Sequence, residues 1–198
     1  MSEPRQQKDC YYVAASSEAV YVRVEGLASL NNCTPLLEYL EELHSRELHE
    51  FIFDLSSCQG FDSTFMGTLV GLVMNPGKNI GEFASGHLAS GHLGESNAAD
   101  DASSASQSRP RVILLNLTEG HKKILSEVGV DRLVDVCNRA ISNPSIKLKR
   151  LENRQVSKES HLRKVFKAHE NLIQLDAQNK EKFGDFLELV KKELESGG

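Results

Sequence analysis

No two cysteines stand close enough to form a CxxC pair: Cys10, Cys33, Cys58 and Cys137 are scattered along 198 residues. That spacing argues against a local zinc or redox motif and for free thiols in a reducing compartment. Also missing is any apolar run near the roughly 20 residues that a membrane-spanning helix needs. The stretch Met1 to Cys10 is polar and lacks the apolar core of a signal peptide, so a cytoplasmic protein with no membrane partner is expected. Positive charge is in deficit. The net charge is −5 and the longest basic cluster is only Lys147, Lys149 and Arg150, so binding to nucleic acid by phosphate neutralisation is not expected. What is present is an ordinary globular composition, 39% hydrophobic and 26% charged, which excludes wholesale disorder. The length suits one domain with an appendage.

Tyr11 to Ala15 and Ala19 to Gly26 are β-rich runs separated by Ser16-Ser17-Glu18, the pattern of an opening hairpin. Val20, Val22 and Val24 alternate with Tyr21, Arg23 and Glu25, which places one face in a core. Thr34-Pro35 predicts an N-cap and first helical position, followed by Leu36, Leu37, Leu40 and Leu43 on a helix ending near Arg46. A third strand is expected over Glu50 to Leu55, then a helix from Asp62 that buries Met66, Leu69, Val70 and Val73 and stops at Pro76-Gly77. Arg111 to Asn116 is a continuous apolar strand, and Thr118 caps a helix with Ile124, Leu125 and Val128 inward and Gly129 at its end. Leu133 to Val136 and Ile146 to Leu151 read as short edge strands. The alternation is that of an α/β or α+β domain of about 140 residues.

Residues 79 to 109 break the pattern. They are rich in Ser, Gly and Ala and repeat Ala-Ser-Gly-His-Leu at 84–88 and 89–93, the composition of a disordered loop extruded from the fold. After Ser157, Leu162, Phe166, His169 and Ile173 keep a helical rhythm, which resumes past Asp176 and Lys180 with Phe183, Leu187, Val190 and Leu194. An amphipathic helix or a kinked helix pair over 157–195 is expected, docked on the domain or on a second copy.

The segment richest in chemistry is the junction of the third strand and the next helix. There Ser56-Ser57-Cys58-Gln59-Gly60-Phe61 reads as a polar loop that delivers Asp62-Ser63-Thr64 to a helix N-terminus. Hydroxyls beside unpaired backbone N–H groups make a place where a phosphate is favoured. Other motifs are weaker. His87 with His92, and His44 with His49, lack neighbouring carboxylates or thiols, so no metal is expected. Gly71 to Lys78 has the wrong spacing for a phosphate loop and is followed by Asn79, so no nucleotide cofactor is expected. No nucleophile signature appears, and an enzyme is not expected.

Phe51-Ile52-Phe53-Asp54-Leu55, Phe61-Asp62-Ser63-Thr64, Gly67 and Gly71, with Leu117-Thr118 and Gly129 through Leu133, together resemble the STAS domain of bacterial anti-sigma factor antagonists. The resemblance covers residues 8 to 152 apart from the inserted loop. It implies a mixed β-sheet packed by α-helices, and a protein–protein switch that regulates transcription. Its partners would be an anti-sigma factor of the Ser/Thr kinase type and a PP2C-type phosphatase. By position the phospho-acceptor is Thr64, or alternatively Ser63. The partner surface is Ser56, Ser57, Gln59, Phe61, Asp62, Ser63 and Phe65, the last standing where the family usually has glycine and crowding the surface a kinase approaches. The alternative is an unphosphorylated scaffold module that forms homo-oligomers through its C-terminal helix.

Overall fold

The computed structural model describes residues 9–43, 48, 50–74, 110–138, 146–152 and 156–196. The chain is α/β: a mixed six-stranded sheet packed by five helices among the described residues. The expected inserted loop and the Pro76-Gly77 stop lie outside those residues; the first helix, expected to end near Arg46, ends at Glu42.

β1 (Cys10–Ala15) and β2 (Ala19–Ala28) form the expected antiparallel hairpin. Val20, Val22 and Val24 are fully buried, as alternation requires when one face meets a core. α1 (Cys33–Glu42) begins one residue before Thr34. Asn32 takes the cap position, but its side chain is spent elsewhere. It accepts from the Ser29 N–H and the Tyr11 hydroxyl, and donates to the Leu27 carbonyl. Thr34 is therefore not the cap. Its hydroxyl pairs at 2.9 Å with His161 on a helix far along the chain.

β3 is longer than the sequence suggests, running from Glu50 to Phe61. Ser57 and Cys58 pair with Glu25 and Gly26 of β2 past one register irregularity, and Gly60 and Phe61 pair with Leu27 and Ala28 past a second. The expected polar loop is thus a strand extension. Ser, Gln and Gly are poor strand formers, and the parallel partner overrides that preference. β4 (Arg111–Leu115) lies beside β3, and β5 (Asp135–Cys137) beside β4. β6 (Lys149–Arg150) flanks β1, so the order is β5-β4-β3-β2-β1-β6 with β5 and β6 at the edges.

α2 (Ser63–Met74) crosses the core face with Thr64 through Val73 all buried. α3 (Glu119–Glu127) is capped by Thr118, whose hydroxyl accepts from the His121 N–H at 3.2 Å. Gly129 follows in the left-handed region, which glycine alone enters without strain. The tail is a helical hairpin, α4 (Lys158–Leu175) and α5 (Asn179–Ser196), with Lys158 paired to Glu193 across its open end. α4 buries Val165, Ala168, His169 and Leu172; of the expected stripe Leu162, Phe166, His169 and Ile173, only His169 is buried and the other three are partly so. Among the described residues, no helix is long and apolar enough to cross a membrane.

Candidate functional site

The corner between β3 and α2 is built around Asp62. Its Oδ1 accepts from the backbone N–H groups of Thr64 (2.9 Å) and Phe65 (3.2 Å), and its Oδ2 accepts from Leu30 at 2.7 Å. One carboxylate thus caps α2 and ties down the turn before α1. The N–H groups of Thr64 and Phe65 are therefore paired, contrary to the expectation of an open anion site. A phosphate here meets the Asp62 charge before it meets those donors.

The residues picked from sequence divide sharply by exposure. Ser56 and Gln59 are exposed, and Ser57, Asp62 and Ser63 are partly exposed. Phe61 is buried, and Thr64 and Phe65 are 1% and 0% exposed. Phe65 does not crowd the surface. Its ring lies edge-on to Phe53 at 5.8 Å and against Phe61 at 5.5 Å, inside the core. Thr64 is closed to any macromolecule in this arrangement. Its carbonyl accepts from Thr68 one turn on.

What covers the corner is the tail. Ser63 Oγ lies 2.8 Å from His169 Nε2, and His169 Nδ1 lies 2.8 Å from the Val165 carbonyl oxygen. A carbonyl only accepts, so Nδ1 carries the proton and Nε2 accepts the Ser63 hydroxyl proton. Phe183 and Phe186 flank the imidazole at 5.3 and 4.6 Å. Burial holds His169 below its ordinary pKa, against the opposing pull of the Val165 bond and the Asp62 charge. The hydroxyl–imidazole pair has the form of a nucleophile and its base. The α2 N–H groups of Thr64 and Phe65, which could steady an oxyanion, are taken by Asp62.

Behind this pair the contact of α4 with α2 is very close. A Cβ on Gly67 would lie 2.0 Å from the Ala168 carbonyl oxygen, and Asn171 donates to the Gly67 carbonyl at 3.1 Å. Further polar ties run from Glu41 to Lys164 (2.7 Å) and from Asn179 to the Val128 and Leu172 carbonyls (3.0 and 2.8 Å). Sequence reading placed His169 on an interface but missed its partner, and missed Asn171 and Asn179. One signal was there: α2 is apolar on every side and carries Gly67 and Gly71, the mark of a helix that another helix covers.

Two neighbours complete the corner. His121 packs its ring on Phe61 at 5.0 Å, and burial lowers its pKa while a hydrogen bond to the Gln59 backbone opposes this. On β3, burial works against the Asp54 charge. Bonds from Asn116 and Ser56, with the Arg23 guanidinium at 3.3 Å, outweigh it and hold the carboxyl below its usual range. Burial pushes the Cys33 thiol up to about 12 and the Cys58 thiol to about 11, which removes both as nucleophiles. Among the described residues no group of three or more His, Cys, Asp and Glu gathers in a metal-holding cluster. No protein-family model matches the chain, and a search of curated proteins finds no match.

Proposed function

We propose that the chain is a STAS-type regulatory protein that binds an anti-sigma factor of the Ser/Thr kinase type through the β3–α2 corner, and so controls a sigma factor. The observation that carries this reading is the corner itself. A strand runs straight into a capped, buried helix, with Ser56 and Gln59 exposed before the turn and the Ser63 hydroxyl partly exposed at it. Of the two hydroxyls, Ser63 is the better acceptor, because Thr64 is buried and Ser63 is not. Transfer of the terminal phosphoryl group of ATP to Ser63 Oγ forms an O–P bond, breaks the bond to the departing ADP and releases the hydroxyl proton. The added charge of about −1.5 to −2 disrupts an apolar or acidic partner surface. A PP2C-type phosphatase restores the hydroxyl by hydrolysis. The protein acts by binding, as a substrate of enzymes and not as one, in the cytoplasm.

The test incubates the full chain with ATP and anti-sigma kinases, and follows complex formation together with mass spectrometry of the peptide holding Ser63 and Thr64. A complex that forms without ATP and breaks on modification of Ser63 supports the reading. No complex and no modification with any such kinase overturns it.

A second reading, a scaffold that oligomerises through its tail, is favoured by Phe186 and Leu189, exposed one turn apart on α5 at 37% and 65%. Sedimentation of the full chain against Leu189→Glu tests it. A monomer in both cases removes that reading.

A further inference from the structure

We infer that the α4–α5 hairpin is a built-in cover over the α2 face, and that the contact between Ser63 and His169 is its latch, so that a negative group on Ser63 lifts the hairpin and frees that face for a partner's helix. The inference rests on the reading of Ser63 as the modified hydroxyl, and concerns a second face: modification releases the kinase from the corner and exposes the α2 face beneath the hairpin.

The latch has one proton in one direction. Nδ1 of His169 must donate to Val165, so a neutral ring offers Ser63 only a lone pair. The serine hydroxyl suits that lone pair; a phosphate ester or a carboxylate at the same position does not. At 2.8 Å there is also no room between Oγ and Nε2 for a phosphorus atom. The new charge then faces Asp62, whose Oδ1 sits at the first turn of the same helix. Protonating the imidazole would relieve the clash, but the ring is 3% exposed, and burial disfavours the cation there.

The rest of the interface is selective without being uniformly apolar. Thr34 with His161, Glu41 with Lys164, and Asn171 with Gly67 fix the helix in one register. Glu41 is only partly buried, but the carboxylate oxygen that Lys164 does not take is itself buried and has no hydrogen-bond partner. The occupant defines the partner that fits in its place. It is a helix with a small residue against Gly67, a side-chain amide one turn away, and a cationic or hydrogen-bond-donating group to meet the negative charge on Ser63.

Amide hydrogen exchange on the full chain tests the latch with no partner present. In unmodified protein at low urea, α4 and α5 should open before β2, β3 and β4; opening in one step with the strands overturns the inference. Ser63→Asp should speed exchange over 158–196 by about tenfold or more, with the strands changed by less than about twofold. Ser63→Ala adds no charge and is the control. Equal opening in the two variants, or no opening in Ser63→Asp, overturns the latch. These measurements involve no kinase, so the cover can fail while the binding reading stands, or the reverse.

Discussion

Gly67 and Ala168 sit backbone against backbone: a Cβ added to Gly67 would lie 2.0 Å from the Ala168 carbonyl oxygen and 2.9 Å from its Cα. No side-chain rotation relieves such a contact. Gly67→Ala therefore forces α4 off α2, at an expected cost of about 1–3 kcal/mol. Urea unfolding reads this as a lower midpoint. An unchanged midpoint contradicts the close crossing.

Asp62 carries three backbone donors on one carboxylate, from Thr64, Phe65 and Leu30. Asp62→Ala should cost about 2 kcal/mol, because a cap and a loop tie are lost together. Asp62→Asn keeps an oxygen for the cap but turns an amide toward Leu30, so its loss should be smaller. Thermal unfolding of the three proteins gives the order wild type, Asn, Ala.

Asn179 is 1% exposed, and its amide donates to two carbonyls, those of Val128 and Leu172. Asn179→Ala leaves both without that donor and should cost about 1–3 kcal/mol. Asn179→Asp should cost more, since it sets a carboxylate against two carbonyl oxygens. If Asp is the milder change at neutral pH, the assigned amide orientation is wrong.

Stability should fall in two steps on acidification. His169 and His121 have folded pKa values below the ordinary 6.5, so the unfolded chain binds protons first. Their contribution is whole above 6.5 and is lost as pH falls from there toward the lowered folded values. Asp54 is held below its ordinary 3.8, so its contribution persists to lower pH and is lost as pH falls through the folded value. Urea midpoints measured from neutral pH downward should show both. His169→Gln should flatten the first step in part, leaving the share of His121, and leave the second in place.

Much of the fold is legible because it is local. The β1–β2 hairpin, the buried Val20-Val22-Val24 face, the Thr118 cap and the two edge strands follow from alternation, hydroxyl chemistry and turn residues a few positions apart. The helical character of the tail follows in the same way from its apolar rhythm, which left one helix or a kinked pair open; the fold shows two, α4 and α5.

The site was legible only in place. Sequence marks Asp62-Ser63-Thr64 as the mouth of a helix, yet it does not say which hydroxyl faces out or what lies over it. Those answers depend on partners distant in the chain. β2 draws Ser56 to Phe61 into the sheet, the core takes the Phe65 ring, and α4 brings His169 to Ser63 across 106 positions. Local periodicity sets which face of an element is apolar; only tertiary packing decides what that face meets. Gly67 shows the difference: its lack of a side chain is read from the sequence, and Ala168 filling that space is known only from the fold.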